Sequence, residues 1–557
     1  MKREILYPVP YNKNSETFTF GNIQKHPETY DMRRGINMAL RMKFSLTCTV
    51  VFFLAVIICM GCIQTEDSEE KVLHVALTTG PDSGGSLDPS LSWEGWPMRR
   101  TGIYETLFSY DENMSFQPEL ATGYTQLNDT AWEISLRKGV YFHDGTLMDA
   151  DAVISSINRV LDPSNSRASE YSFIKNIYKT DDYTIVVETN EPYAPTILMF
   201  TDTIMSIVSP TAENLEKEPV GTGPFMFVSF EPGASIELVK NPNYWGEEPK
   251  IDRVIIQYSK DAASRTLLLK SGDVDITRDV LQSEYASLEA DPELDVTSKE
   301  TLRTYFMYIN EGKAPFDDVR VRQALSYALD RQEIVDTALE GVAGSAAVGI
   351  FPDILSWSAN EKLEPYDYNE EKALELFSAA GITPGSDGKL YYNGEPFTIE
   401  IQTYTKQAAH QPMAEVIASQ FEKIGITTTI KIAETSSISA DATAGKYDLA
   451  LYAWGVAPVG DPDYFMSSHF LSTGTYASAW LHYKNEQVDE WILEARAEPD
   501  NEKRVELYDK VQEQVQNDAV LIYIAYKKEL DGFSPKLRGF EIYPNEYTFV
   551  TNEMELA

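Results

Sequence analysis

Cysteine is nearly absent: the 557-residue chain has three, Cys48, Cys59 and Cys62, and none from there to its end. The long body that follows therefore has no disulfide, no cysteine-based zinc site and no thiol nucleophile. Histidine is scarce too: after His26 come only His74, His143, His410, His469 and His482, too scattered for a helical metal pair. Basic residues are in deficit, 47 against 86 acidic, and the net charge of −39 argues against nucleic acid as a partner and against an anionic membrane surface as a ligand. Past residue 60 no run approaches about 18 consecutive apolar residues, so the body is not a permease. There is no G-x-S-x-G and no H-E-x-x-H, and "GTGPF" (221–225) lacks the Lys and Ser/Thr that complete a phosphate loop. The chain is expected not to be an enzyme and to carry no cofactor of its own.

The cysteines that exist are gathered in one place. Residues 44–60, "FSLTCTVVFFLAVIICM", are almost wholly apolar and follow Arg33, Arg34, Arg41 and Lys43, the charge-then-grease order of an export signal. Gly61-Cys62 closes the segment as a lipobox would, which makes Cys62 the expected lipid attachment point, although Cys59 stands where a small aliphatic residue is usual. The other reading is an uncleaved signal anchor, since about 17 apolar residues is the lower limit for a span. Either one tethers the body on the outer face of the membrane. Residues 1–41 are polar and without apolar period, an extension that points to a true start at Met38 or Met42, with 42–62 as the anchor segment. The acidic run over 63–70 reads as a solvated spacer.

The body holds what builds cores. The chain is 43% hydrophobic with 32 Tyr and 8 Trp, which excludes disorder and suits a surface that grips by rigid amphipathic contact. "KVLHVALTTG" (71–80) reads as a buried strand ending at Gly80-Pro81. "AWEISLRKGVYFHDG" (131–145) alternates as a hairpin, with Trp132, Ile134 and Leu136 on one face, a turn at Lys138-Gly139, then Val140 and Phe142. "DADAVISSINRVLDP" (149–163) puts Val153, Ile154, Ile157, Val160 and Leu161 on one helical stripe between an Asp cap and Pro163. Residues 251–276 read as strand, Asp-capped helix, Gly272 stop and strand; 317–341 as two helices jointed at Asp330 and stopped by Gly341; 411–434 as helix, Gly425 and strand. A hairpin is expected over 384–401. Strand-helix-strand units imply parallel sheets, so the fold class is mixed α/β with antiparallel additions. A tethered, acidic, aromatic-rich α/β body without catalytic signatures reads as an extracellular binder.

Four stretches sharpen this: "WEISLRKGVYFHDGTLMDADAV" (132–153), "GTGPFMFVSFEPGASIELVKNPNYWGEEPKIDRV" (221–254), "SGDVDI" (271–276) and "PFDDVRVRQALSYALDR" (315–331). In this order and spacing, over roughly residues 71–545, the chain resembles the peptide/nickel family of ABC-importer substrate-binding proteins, solute-binding protein family 5. The resemblance implies a periplasmic-binding-protein-like type II fold (cluster C), two lobes around a ligand cleft plus a smaller extra domain. It places lobe I at 71–310 with the small domain inserted at about 116–219, lobe II at 311–515, and a return to lobe I over 516–557. It further implies a monomer that closes like a flytrap on its ligand and docks on the permease subunits of an importer. Trp245 and Gly246 are expected to pin a turn rather than touch ligand.

For ligand contacts the resemblance singles out Arg100, in the R-x-G-x-x-E-T-L core of "SLDPSLSWEGWPMRRTGIYETLF" (86–108), whose guanidinium fork suits a carboxylate. The alternative is a surface arginine paired with Glu105 or Glu94. Arg167 and Arg303 occupy similar positions in "LDPSNSRASEY" and "TLRTYFMYIN". Tyr404 and His410 fall on the loop between a strand end and a helix start, the usual α/β ligand crevice. In "YDLALYAWGVAPVGDPDYFMSSHF" (447–470), Trp454 breaks a buried strand, Asp461 (with Asp463 beside it) is available for a peptide's α-ammonium, and His469 lies near, with a helix-facing surface role as its other reading. No protein cage for bare nickel is visible: His410 and His469 are the nearest metal-ligating candidates, and nickel would arrive as part of the transported ligand, held by a carboxylate chelator. The ligand is thus a nickel chelate or an oligopeptide. The rival from another class is a tethered chemoreceptor module.

Overall fold

Val72–Leu77 forms the expected buried strand and pairs in parallel on both sides, with Arg253–Tyr258 and with Ile276–Thr277. These are the first elements in the computed structural model, which describes residues 70–81, 85–405 and 407–557. The extension, the anchor segment with Cys62, and the spacer up to residue 69 lie outside the described residues.

Local signals account for most elements. The crossover helix Ala262–Ser271 starts where Asp261 accepts from the Ser264 N–H and stops at Gly272, whose φ of 76° is left-handed. Asp149 caps Ala150–Leu161 and Asp330 caps Arg331–Ala338 in the same way. Gly425, at φ 93°, ends the helix His410–Lys423 before the strand Thr427–Ala433. One expectation fails. The strand Ala131–Leu136 does not pair with residues 140–142; its neighbours are Ala121–Asn128 and Thr184–Thr189, and Tyr141 makes only a single bridge to Leu147. With Ile174–Asp181 these strands form a separate four-stranded antiparallel sheet, closed by the Val153, Ile157 and Val160 face of the helix. The hairpin expected over 384–401 is three short strands, Ile382–Pro384, Leu390–Tyr392 and Glu395–Pro396, followed by the main-sheet strand Thr398–Tyr404.

The principal sheet runs through the whole body. Across it lie, in order, Thr427–Ala433, Thr398–Tyr404, Leu449–Gly455, Asp295–Ile309, Leu521–Phe533, Ile276–Thr277, Val72–Leu77, Arg253–Tyr258, Ser235–Lys240 and Phe225–Glu231. Its two halves are joined by the two longest strands, Asp295–Ile309 and Leu521–Phe533, of 15 and 13 residues. Asp295–Glu300 pairs with Lys528–Phe533 beside Ile276–Thr277; Thr304–Ile309 pairs with Leu521–Tyr526 and Leu449–Gly455. Between the two stretches the ladder steps from Glu300↔Lys528 to Thr304↔Tyr526, so Thr301, Leu302 and Arg303 face Lys527 alone. Such a bulge bends the strand and re-aims a side chain. Here the side chain is Arg303.

Candidate ligand-binding cleft

Beside this bulge, buried charge and aromatic rings meet. The short helix Gly95–Arg99 carries Trp96 and ends at Arg100. Gly95 is required by contact: a Cβ there would meet the Thr203 backbone at 2.6 Å. Arg100, 7% exposed, donates from Nε to the Glu546 carbonyl at 2.8 Å, and the Trp96 indole donates to the same oxygen at 3.0 Å. From the bulge, Arg303 closes a fork on the Glu546 carboxylate, 3.2 Å from Nε and 2.7 Å from Nη2. Both guanidinium groups flank the Trp96 ring, at 4.7 and 5.4 Å. Burial lowers Arg100 to about 10, with the neighbouring Arg278 charge adding to the effect. For Arg303 burial also disfavours the charge, but Glu546 outweighs it and raises the group above its ordinary value. The alternative of a surface Arg100 paired with Glu105 or Glu94 fails on its burial, and Glu105 instead accepts from Thr222, Tyr244 and Trp245, which makes Trp245 part of the scaffold.

Arg167 lies in a second cluster. Its guanidinium sits 3.9 Å from the Trp93 ring centroid, forks onto Glu170 at 3.0 and 2.7 Å, and reaches Asp202 at 2.7 Å. Tyr171 adds a bond to Asp202 at 2.7 Å. Burial raises the hydroxyls of Tyr464 and Tyr476, with the Glu170 charge adding to it, and burial followed by the Asp202 charge raises that of Tyr547.

The other wall comes from the ends of the second half's strands. Tyr404 closes its strand, and its hydroxyl lies 3.4 Å from the Ala453 carbonyl. His410 is not the loop residue expected but the first residue of its helix, fully buried, with its ring edge-on to Tyr404 at 4.4 Å and to Tyr305 at 5.8 Å. Neither ring nitrogen has a hydrogen-bond partner of good geometry, and burial pushes the imidazole down to about 3, so it is neutral. Trp454 is half-buried, edge-on to His469 at 5.6 Å and to Tyr476 at 5.2 Å.

Two expected positions are placed differently. His469 is fully buried: one ring nitrogen meets the Tyr308 hydroxyl at 2.8 Å, the other meets Ser468 Oγ at 2.8 Å and the Phe465 carbonyl at 3.1 Å, and the ring stacks on Phe465 at 3.7 Å. Both nitrogens are thus occupied, which removes His469 as a metal ligand in this conformation and contradicts a surface role. Asp461 is 0% exposed and paired with Arg504 at 2.8 Å, so its charge is committed to the scaffold rather than offered to an ammonium. The structure therefore brings Arg100 to Arg303 through Glu546 and Tyr404 to His410, while Arg167 stands with Trp93 and Asp461 stands apart. Sequence reading missed Glu546, Trp93 and Trp96. The repeated tryptophan in "SWEGW" is a signal that could have found two of them. Among the described residues no group of three or more His, Cys, Asp or Glu is placed to hold a metal, and no helix is long and apolar enough to cross a membrane.

The family described as "Bacterial extracellular solute-binding proteins, family 5 Middle" matches residues 115–477. This chain belongs to that family. Heme-binding protein A of Haemophilus influenzae is 29% identical over 83% of this chain and 88% of its own length. The oligopeptide-binding protein AppA of Bacillus subtilis is 26% identical over 93% and 99%. A solved nickel ABC transporter structure from Bacillus halodurans superposes with a TM-score of 0.73 at 29% identity, covering 87% of this chain and all of that one. The fold is accordingly that of type II periplasmic binding proteins. As a family 5 protein it works outside the cytoplasm as a substrate-binding component of an ABC importer and is not an enzyme. Peptide-, heme- and nickel-named relatives on one fold leave the cargo to be argued from the cleft.

Proposed function

We propose that this family 5 protein captures nickel carried by a small carboxylate chelator, closes over it and presents it to the permease, anchored through Cys62. The observation that carries this reading is His410: a neutral, fully buried imidazole whose nitrogens make no hydrogen bond of good geometry, held against the Tyr404 ring and backbone and within the field of Arg303. Neutral imidazole is the form that ligates a metal. The fork of Arg303 on the Glu546 carboxylate, with Arg100 Nε on the Glu546 backbone carbonyl, supports a corner suited to carboxylate oxygens. A second reading, an oligopeptide, draws on Glu170, which is forked by Arg167 but, with 32% of its side chain exposed against 1% for Asp461, keeps a face open to an ammonium.

Calorimetry on the full chain in detergent, with nickel plus excess histidine against a mixed peptide pool, decides between them. Heat with the nickel complex and none with peptides is expected; binding of peptides alone rejects the nickel reading. For the anchor, mass spectrometry of the native protein is expected to find a diacylated N-terminal Cys62, and an unmodified Cys62 within an intact chain would reject it.

A further inference from the structure

Arg278 is 2% exposed, and none of its Nε, Nη1 and Nη2 atoms has a hydrogen-bond partner. Its nearest carboxylates, Asp531 at 3.5 Å and Glu529 at 3.7 Å, both lie against Nε, beyond normal hydrogen-bond reach. One face of the guanidinium lies over the Phe549 ring, 4.9 Å from its centroid. These two ion pairs hold the charge, but a buried guanidinium that makes no hydrogen bond keeps its donors free for a further acceptor.

The backbone beneath it is rigid. Arg265 donates to the Arg278 carbonyl at 3.1 Å, to the Asp279 carbonyl at 2.7 Å and to the Ser259 carbonyl at 2.7 Å, and the Arg278 N–H reaches the Ala76 carbonyl at 3.3 Å. Arg278 directly follows the strand Ile276–Thr277, beside the ends of Val72–Leu77 and Arg253–Tyr258. Carboxyl ends of adjacent parallel strands form the crevice in which α/β sheets hold ligands. Arg100 is near enough for its charge and that of Arg278 to repel. With Arg303, Lys527 and Arg265 they make five cations, set against four carboxylates, Glu546, Asp279, Asp531 and Glu529. Burial, and then Asp279, pushes Glu529 up to about 8.

We propose that Arg278 is a specificity-determining residue of the cleft and that, together with Arg100, it receives a carboxylate of the cargo between two guanidinium groups. Arginine rather than lysine suits this, since a rigid fork meets both oxygens of one carboxylate. The inference rests on reading the cleft as a carrier of acid-bearing cargo and names the side chains that recognise the acid.

The test compares the full wild-type chain with Arg278→Gln, using nickel with excess histidine and nickel with excess histamine, which keeps the imidazole and amine but has no carboxylate. Wild type is expected to prefer the histidine complex. Arg278→Gln is expected to bind that complex roughly 10- to 100-fold more weakly, as loss of charged hydrogen bonds would give, and to bind the histamine complex as wild type does. Arg278→Lys is expected to restore only part of the loss. Thermal melts separate unfolding from lost recognition, and Arg278→Met, which removes the charge and keeps the bulk, covers a glutamine variant that fails to fold. Equal affinity of wild type and a folded variant for the histidine complex overturns the assignment. If wild type binds only peptides, the nickel reading falls alone. The same variants are then compared on a free-acid peptide and its C-terminal amide, with the loss expected only for the acid. Wild type binding none of these probes overturns both.

Discussion

Glu546 decides whether two buried arginines repel or clamp. It sits at φ 63°, in a turn its own N–H closes onto the Tyr543 carbonyl, so its carbonyl serves Arg100 while its carboxylate serves Arg303. Burial acts to raise its pKa, but Arg303 and then Lys527 outweigh this and hold the carboxyl well below the usual 4.5. A depressed carboxylate contributes stability that is complete above the unfolded-state value and lost as pH falls through the folded one. Glu546→Gln is expected to cost about 3 kcal/mol at neutral pH, because it leaves a buried guanidinium unpaired. Urea unfolding reads this as a lower midpoint, with the gap from wild type narrowing below about pH 4. A gap of constant size from neutral pH down to acid would mean the carboxylate contributes only its shape. Trp96 was missed in the sequence, but the two arginines of this corner were singled out through the family resemblance. Their partner was not: Glu546 is 446 positions from Arg100 and 243 from Arg303, and no local pattern announces such a pairing.

At the scale of elements, the helix Gly95–Arg99 is the smallest piece on which the cleft depends. It is only five residues long and makes no side-chain cap bond at its start, so its position is set by contact at Gly95 rather than by its own stability. Gly95→Ala would drive a methyl into the Thr203 backbone, which cannot yield as a side-chain end can. A destabilisation of about 1–3 kcal/mol is expected for such overpacking, together with weaker ligand binding as Trp96 and Arg100 are displaced. Calorimetry and a melt on the same sample check both, and a variant that melts lower yet binds unchanged would show that the helix does not position the site. Elements bounded by Asp caps and Gly stops, as at Asp261 and Gly272, were readable because their determinants lie within a turn of the boundary. The partner of Ala131–Leu136 was not, because alternation shows which face is buried and not which distant strand covers the edge.

Over the whole molecule, the parallel crossovers and the binding role followed from pattern and motif, but the single sheet threading both halves did not. Two strands long enough to serve both halves read in sequence as ordinary alternation. If closure is the working motion, small-angle scattering on the full chain is expected to show a smaller radius of gyration once nickel with excess histidine is bound. A bound complex with an unchanged curve would mean the halves do not swing.

The joint itself has a mechanical consequence. Because Asp295–Ile309 and Leu521–Phe533 stay laced to one another on both sides of the three-residue step at Thr301–Arg303, the halves can rock by twisting a ribbon rather than by melting a loop. If the proposed clamp closes in this way, its resting angle is set by the chain itself, and a permease would have a fixed posture against which to recognise a loaded one.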